Sequence, residues 1–247
     1  MKRNKYIFIK FFLLLLFLSA NFHTNAETQD PLEPTNRAIH EFNDKVDQFI
    51  LRPVSLGYSY LPNPLEKGIS NALRNIGEPI NFTNYIFQGD IESSLNTLGR
   101  FVINSTIGFF GLFDVADKMG LKKNYTDFGY TLEIWGVPEG DYLVIPFFGP
   151  RTTRHLVGNV LDLITNPLNY YLQDEYILVR SSPTLLYALS SRSSNMETID
   201  NLRETSIDYY SSLKSIYTQN RKSFSINADD DINEMGDFFD SFNEIED

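Results

Sequence analysis

Amphipathic segments that end at proline or glycine occupy most of the chain. The first predicted helix, at about 34–50, carries apolar residues at helical spacing on one face and Arg37, Glu41, Asp44 and Asp47 off it. Arg52-Pro53 is expected to end this helix, because a residue before proline avoids the α region. The second predicted helix begins at the capping sequence 63–66, Asn-Pro-Leu-Glu, and stops at Gly77.

Further segments follow the same pattern. The predictions are a short helix at 78–88 closed by Gly89, a helix capped by Asp90, a helix at 152–164 ended by Asn166-Pro167, and a long helical region at 183–221 interrupted near 190–195. Between them, 128–150 is rich in glycine, proline and aromatic residues, and only Tyr142–Ile145 has strand propensity. The sequence therefore predicts an all-α protein with at most a short hairpin.

Two segments connect predicted helices. Residues 108–113, Gly-Phe-Phe-Gly-Leu-Phe, are either a tightly packed helix crossing or chain that faces lipid. Residues 114–127 are polar around Met119-Gly120 and are predicted to form an exposed hairpin or loop.

The apolar faces of the helices allow two interpretations. Such faces ordinarily pack on a globular core. However, aromatic residues make up 14% of the chain, with phenylalanine at 20 positions, and helices that lie in a membrane interface bury phenylalanine and leucine in the same way. Several such helices could lie side by side in one leaflet without spanning it.

The N-terminus has the pattern of a secretory signal. Four cations among the first ten residues precede an apolar run at 11–18, and Thr24-Asn25-Ala26 offers a cleavage site, which predicts a signal peptide at 1–26. Leu18-Ser19-Ala20 resembles the start of a lipoprotein box, but Asn21 follows and the chain contains no cysteine. We therefore expect either an uncleaved signal or a domain, at 27–222, that holds itself in the membrane.

Charge is concentrated at the C-terminus. The net charge is -11, and residues 223–247 contain nine acidic residues and no lysine or arginine. Removing this segment leaves 23 acidic against 21 basic residues. We expect a disordered acidic tail after a nearly neutral domain, and no nucleic-acid binding.

Enzyme motifs are absent from the sequence. The histidines, at 23, 40 and 155, stand far apart, and there is no zinc-protease motif, nucleophile elbow or phosphate-binding glycine loop. The prediction is a protein that is not an enzyme and that binds no cofactor or metal.

A series of short motifs resembles the MlaA (VacJ) family over about residues 30–223. The motifs are the opening sequence at 30–37, Arg52-Pro53, Glu78-Pro79, Phe87-Gln88-Gly89, Arg100-Phe101 with Asn104 and Gly108, the sequence at 111–114, Phe128-Gly129 with Thr131-Leu132, Trp135-Gly136-Val137, Gly140 with Tyr142, Pro146, and Gly149-Pro150. The resemblance implies a ring of helices that lies in the periplasmic leaflet of the outer membrane around an amphipathic channel. It also implies removal of misplaced phospholipid from the outer leaflet, transfer to an MlaC-like periplasmic carrier, and a trimeric porin as a partner.

The resemblance also implies where the channel is controlled. Phe42 and Asn43 match a position that helps keep the channel closed, and the loop at 114–126 corresponds to a hairpin beside the channel mouth. In that loop the candidate residues are Asp114, Lys118, Met119, Leu121 and Lys122. The alternatives are that Phe42 is a core residue and the loop a solvated connection, and that the whole chain is a membrane-tethered structural or adaptor protein. One departure is His155, where the family usually has aspartate, so an Arg-Asp pair at 154–155 is not expected.

Overall fold

Helices dominate the computed structural model, which describes residues 30–167, 169 and 177–226, with side chains at 30–167, 169 and 181–222. In chain order the elements are α1 (Glu33–Val46), a π-helical turn (Asp47–Leu51), α2 (Arg52–Ser59), α3 (Asn63–Gln88), α4 (Ile91–Thr106), α5 (Val115–Lys118), α6 (Phe128–Ile134), β1 (Tyr142–Ile145), β2 (Gly149–Thr152), α7 (Thr153–Thr165), α8 (Ile177–Ser194), α9 (Met196–Thr205) and α10 (Tyr209–Ile226). The prediction of an all-α fold with at most a short hairpin is confirmed. The predicted signal peptide at 1–26 lies outside the described residues. The disordered tail was predicted to begin at 223, but α10 continues through 223–226, and the rest of the tail lies outside the described residues.

The helical chain continues through the predicted stop at Arg52-Pro53, so that prediction is wrong. Pro53 cannot donate a backbone hydrogen bond. The π-helical turn widens the ladder immediately before it, and the Arg52 amide donates to the Asp47 carbonyl five residues earlier. The helical path then resumes as α2 with Pro53 in its first turn, where an amide donor is not needed.

The predicted stop at Gly77 is also wrong, because α3 runs unbroken for 26 residues with Pro79 inside it. Contacts on both sides of the proline hold the helix together. Glu78 pairs with Arg100 of α4, and Asn84 donates to Asp162 of α7 at 2.8 Å. Gly89 ends α3 in the left-handed conformation, as predicted.

Several predicted boundaries are confirmed by side-chain caps. The Asp90 carboxylate accepts from the Ser93 amide at the start of α4, and the Thr152 hydroxyl accepts from the His155 amide at the start of α7. Asn166 ends α7. The C-terminal region differs from its prediction, since Pro183 lies inside α8 and a second break occurs at Ser206 in addition to the one at Asn195.

The glycine-rich middle of the chain is more regular than expected. The strand at Tyr142–Ile145 is confirmed, and it pairs antiparallel with β2, with Tyr142 opposite Thr152 and Ile145 opposite Gly149. Helix α6 was not predicted. It packs on α7 so closely that a Cβ atom at Gly158 would lie 2.3 Å from the Gly129 nitrogen.

Two contacts fix the remaining layout. Helices α3 and α4 lie antiparallel, since Asn75 contacts Ser105 while Glu78 contacts Arg100. A buried apolar cluster lies where the hairpin, α1 and α10 meet: Tyr142, Val144 and Tyr210, with Ile39 and Tyr217 packed against them.

Candidate functional site

Polar side chains outnumber apolar ones among the buried residues of the described structure. Its largest fully buried side chains are all polar: Asn36, Asn84, Thr97, Thr131, Ser55 and Ser94. Large apolar side chains are exposed along much of the chain, among them Phe49, Tyr60, Leu95, Phe110, Phe147 and Leu163. This arrangement reverses the usual one, in which buried positions are mostly apolar.

Helix α4 shows the reversal most clearly. Its buried residues are Ser94, Thr97, Arg100 and Asn104, and its exposed apolar residues are Ile91, Leu95, Leu98 and Val102. Each set recurs every three or four residues, so the helix has one polar face turned inward and one apolar face turned outward. Exposed apolar surface of this extent marks contact with a membrane or a protein.

Arg100 connects α4 to α3 and to the segment at 114–123. Its guanidinium donates to Glu78 at 3.1 Å and to both Asp114 oxygens at 3.1 and 3.2 Å. The same group donates to the Leu121 carbonyl at 2.7 Å. Arg100 therefore binds this segment at two points, Asp114 and Leu121, both within the loop at 114–126 that the resemblance places beside a channel mouth.

The two carboxylates around Arg100 titrate differently. Burial raises the pKa of Glu78 above its ordinary value in spite of Arg100. Burial acts in the same direction on Asp114, but the hydrogen bond from the Asp117 amide and the charge of Arg100 outweigh it, so the pKa of Asp114 is lowered. Asp114 is therefore ionised at neutral pH and binds the two cations beside it, Arg100 and Lys123.

The segment at 114–123 is more ordered than the predicted hairpin or loop. Asp114 caps α5 by accepting from the Asp117 amide, and the Asn104 amide oxygen accepts from the Ala116 amide at 2.9 Å. The candidate residues Lys118, Met119 and Lys122 are exposed, whereas the Leu121 side chain is half-buried. The structure thus places the five candidate residues of this segment on one short stretch held by Arg100.

Phe42 and Asn43 contact a different element, the turn between β1 and β2. The Asn43 amide donates to the Ile145 carbonyl at 3.0 Å and accepts from the Phe147 amide at 2.7 Å. The Phe42 ring packs edge-on against the Phe147 ring, with centroids 5.2 Å apart. The pair therefore attaches α1 to the tip of the hairpin.

Sequence reasoning missed a set of six charged residues that joins α1, the π-helical turn, α2, α8 and α9. We call it the ionic cluster: Asp44, Asp47, Arg52, Arg192, Asp200 and Arg203. Its short contacts include Arg192 to Asp200 and Arg203 to Asp47, both at 2.6 Å. The three-residue spacing of Asp44 with Asp47 and of Asp200 with Arg203 indicates two charged helix faces, but the sequence does not reveal that they meet.

A second buried cluster lies around His155 and was also missed. Tyr217 lies 2.9 Å from Nδ1 of His155, and Asp127 binds Arg221 at 2.7 Å. Burial lowers the pKa of His155 to about 3, despite the nearby Asp127 carboxylate. His155 is therefore neutral at physiological pH. The neighbouring Arg154 forms its ion pair with Glu133, at 2.8 Å, and not with residue 155.

Two kinds of feature are absent from the described residues. Among residues 30–167, 169 and 177–226, no three histidine, cysteine, aspartate or glutamate side chains are grouped so that they could hold a metal ion. Within the same residues, no helix combines the length and the apolar character that crossing a membrane requires.

The fold and the surface together define a class, a helical protein with a polar interior and an apolar exterior. The comparison with protein families gives a more specific result. The family model described as MlaA lipoprotein matches residues 28–224, and the chain belongs to this family.

Individual relatives agree with the family match. An uncharacterized protein of Rickettsia bellii is 34% identical over 83% of this chain and 80% of its own length. The intermembrane phospholipid transport system lipoprotein MlaA of Haemophilus influenzae is 30% identical over 79% of this chain and 78% of its own. The protein of that name from Escherichia coli is 38% identical over 54% of this chain and 55% of its own.

The fold also matches a solved structure. A chain from work on the structural basis for maintenance of bacterial outer membrane lipid asymmetry superposes with a TM-score of 0.70 at 32% sequence identity. The match covers 81% of this chain and all of that one.

Proposed function

We propose that this chain acts in intermembrane phospholipid transport. It removes misplaced phospholipid from the outer leaflet of the outer membrane and passes it to a periplasmic carrier, which maintains lipid asymmetry. The observation that carries the proposal is the family match over residues 28–224, because that range includes nearly all of the described structure. Relatives from two bacteria carry the name of this transport system.

The reversed polarity of the molecule supports a location within one leaflet. A helix such as α4 could lie in the membrane plane with Leu95 and Val102 against acyl chains and with Thr97 and Arg100 turned inward. Several helices of this kind side by side would form a ring at the periplasmic face of the outer membrane. The apolar exterior would then lie in hydrocarbon and not in water.

The same arrangement of polar and apolar surfaces suits the movement of a phospholipid, which has a polar head group and apolar tails. A phospholipid needs a path on which its head group keeps hydrogen-bonding partners while its tails avoid water. Helices that carry a polar face and an apolar face can provide both kinds of wall. Transfer along such walls breaks no covalent bond, so we propose that the chain is not an enzyme.

We assign control of the lipid path to two groups of candidate residues, Phe42 with Asn43 and the segment at 114–122. In this proposal Phe42 and Asn43 hold the hairpin tip in place through Phe147. The segment at 114–122 borders the mouth of the path and is held through Asp114 by Arg100. The buried contacts of Arg100 support a fixed position for this segment.

Two partners complete the proposal. A soluble, MlaC-like carrier would receive the lipid in the periplasm, and a trimeric porin would position the chain in the outer membrane. The energy for net transport would come from a separate nucleotide-driven component.

Deletion of the gene tests the proposal in the bacterium that encodes the chain. We expect more phospholipid in the outer leaflet, measured as digestion by phospholipase added to intact cells, together with greater sensitivity to detergent. The intact gene on a plasmid should restore both. Surface phospholipid that stays unchanged after deletion would refute the proposed function.

The variant Asn43→Ala tests the assignment of control to the hairpin contact. It removes both hydrogen bonds to the hairpin tip, and we expect it to fail to restore normal surface phospholipid at equal protein level. Asn201→Ala changes an exposed asparagine of α9 and serves as the matched control. If Asn43→Ala fully restored normal surface phospholipid, the contact between Asn43 and the hairpin tip would have no role in control of the path.

A further inference from the structure

Helix α1 contacts the hairpin at two levels, seven residues apart. At the first level the side chain of Asn36 donates to the Tyr142 carbonyl at 3.0 Å and accepts from the Val144 amide at 2.9 Å. At the second level the side chain of Asn43 makes the same pair of contacts with the hairpin tip. Seven residues are close to two helical turns, so both asparagines lie on the face of α1 that meets the hairpin.

The residue after each asparagine is charged and binds the C-terminal part of the chain. Arg37 binds Asp208 at 2.6 Å, and Asp44 accepts from Arg203 at 2.8 Å. The two levels differ in burial. The side chains of Arg37 and Asp208 are 40% and 39% exposed, whereas those of Asp44 and Arg203 are 20% and 18% exposed. Exposed ion pairs contribute little to stability, so the firmer attachment lies at the second level, next to Asn43.

The ionic cluster also holds the π-helical turn that follows α1. Asp47, the first residue of the turn, binds Arg203 at 2.6 Å and Arg192 at 2.8 Å. Arg52, the residue after the turn, binds Asp200 at 2.8 Å. Members of the ionic cluster therefore stand at both ends of the turn.

The geometry of this turn sets the rotation of α1. A π-helical turn contains one residue more than the α-helical ladder on either side of it, and such turns occur frequently at functional sites. If the turn relaxed to α-helical geometry, α1 would rotate about its axis relative to α2 by about 100°, the angle of one residue. That rotation would carry Asn43 away from the hairpin tip.

We infer that the ionic cluster positions α1 for control of the lipid path. It holds the π-helical turn and fixes the rotation of α1 at which Asn43 meets the hairpin tip. Asp44 and Arg203 are its positioning residues, because they make the ion pair adjacent to Asn43. The inference rests on the proposed function, which assigns control of the path to Asn43.

Hydrogen exchange of two backbone amides in the full chain tests the inference. The Phe147 amide donates to Asn43 and the Val144 amide donates to Asn36, so each amide reports one level of contact. In Arg203→Met we expect the Phe147 amide to exchange about tenfold faster, the size expected for loss of one hydrogen bond. The Val144 amide should exchange at the parental rate. Both rates are measured in micelles, by mass spectrometry with fragmentation to single residues.

Arg37→Met is the matched control, because it removes the arginine that binds α1 to Asp208 at the first, exposed level. Both amides should exchange in it as in the parent. A parental rate for the Phe147 amide in a folded Arg203→Met would overturn the inference. Equal acceleration of both amides would overturn it too, because Arg203 would then stabilise the whole fold and not the position of Asn43.

Asp44→Asn gives the deciding result if Arg203→Met unfolds. It keeps the shape of the side chain and leaves Arg203 bound to Asp47. We expect the same selective acceleration of the Phe147 amide, by a smaller factor. A Phe147 amide that exchanges at the parental rate in Asp44→Asn would then overturn the inference.

Surface phospholipid connects the positioning to control of the path. In the deletion strain Arg203→Met should fail to restore normal surface phospholipid, whereas Arg37→Met should restore it. Asn43→Ala/Arg203→Met should be no worse than Asn43→Ala, because both substitutions act on one contact. Restoration by Arg203→Met would overturn the inference and leave the proposed function standing. Surface phospholipid that stays unchanged after gene deletion would refute the proposed function, and hydrogen exchange would still report the positioning.

Discussion

Charged side chains that are buried do most of the positioning in this molecule. Arg100 joins two helices and the segment at 114–123 through three oxygen atoms of side chains and one of the backbone. Asp127 similarly joins α10 to the start of α6 through Arg221 and the Tyr130 amide. A buried charge is stable only when it is paired and hydrogen-bonded. Each of these residues therefore ties several elements to a single position.

The buried carboxyl group of Asp162 should make the free energy of unfolding depend on pH. Burial raises its pKa to about 6, against 3.8 ordinarily, despite hydrogen bonds from Asn84 and the Phe128 amide. The pKa of Asp162 is higher in the folded state than in the unfolded state. Its favourable contribution to the free energy of unfolding is therefore complete below about pH 4 and is lost as the pH rises through about 6. The loss is about 3 kcal/mol. We expect Asp162→Asn to flatten the unfolding free energy between these pH values, measured by chemical denaturation in micelles.

Two features of this experiment keep it specific. Asparagine cannot accept both hydrogen bonds, so the absolute stability of the variant will also change and only the slope is diagnostic. Asp141→Asn, at an exposed carboxylate, should leave the slope as it is in the parent. A slope that persists in Asp162→Asn would show that another group titrates in this range.

At the scale of elements, the ionic cluster holds the N-terminal helices against α8 and α9. Within it the side chain of Arg192 is 4% exposed and that of Arg52 is 42% exposed. Removing Arg192 takes one cation from both Asp47 and Asp200, and breaking buried ion pairs in this way costs about 3–5 kcal/mol. Removing an exposed member costs about 1 kcal/mol or less. We therefore expect Arg192→Met to lower the melting temperature far more than Arg52→Met, in the same detergent.

The two variants control for each other, because both remove one arginine from the same cluster and both contact Asp200. Equal decreases in melting temperature for the two variants would mean that the ionic cluster stabilises the protein through its total charge. A small loss for Arg192→Met would mean that methionine packs well enough in its place to compensate.

Local signals in the sequence located the elements whose ends are set locally. Asp90 and Thr152 cap the helices that follow them, and Gly89 ends α3, because each acts on backbone groups within a few residues. Pro53 and Gly77 failed as stops for the opposite reason. The π-helical turn keeps the chain helical before Pro53. Past Gly77, α3 is held by contacts with α4 and α7, which are partners far along the sequence.

The candidate site could be predicted only in part. The resemblance implies Asp114 as a candidate residue, but it gives no role to Arg100, which holds the Asp114 carboxylate. Helix α6 could have been found from Asp127, whose carboxylate accepts from the Tyr130 amide as an N-cap. Asp47 and Arg192 are 145 residues apart in the sequence, and no local sequence pattern predicts a contact between such distant positions.

At the scale of the whole molecule, the sequence left open which face of each helix points outward. Periodicity shows that a helix has two faces, but a core helix and an interfacial helix have the same periodicity. The structure settles this for α4, where Thr97 is buried and Leu95 is exposed. The reversal then extends to α3, whose buried side chains include Asn75, Glu78 and Asn81.

Substitutions on the two faces of α4 give a prediction opposite to the rule for water-soluble helices. Thr97→Leu adds apolar volume to a fully buried site beside α3, and we expect it to lower the unfolding free energy by about 1–3 kcal/mol in micelles through overpacking. Leu95→Ser removes apolar surface from the outside and should cost only about 0.5 kcal/mol, from helix propensity. Its effect should appear instead as roughly tenfold weaker flotation with phospholipid vesicles. If Leu95→Ser proved the more destabilising variant and floated normally, the outer face of α4 would be packed against protein. If both variants behave as expected, the polar face of α4 carries the fold and the apolar face carries the contact with lipid.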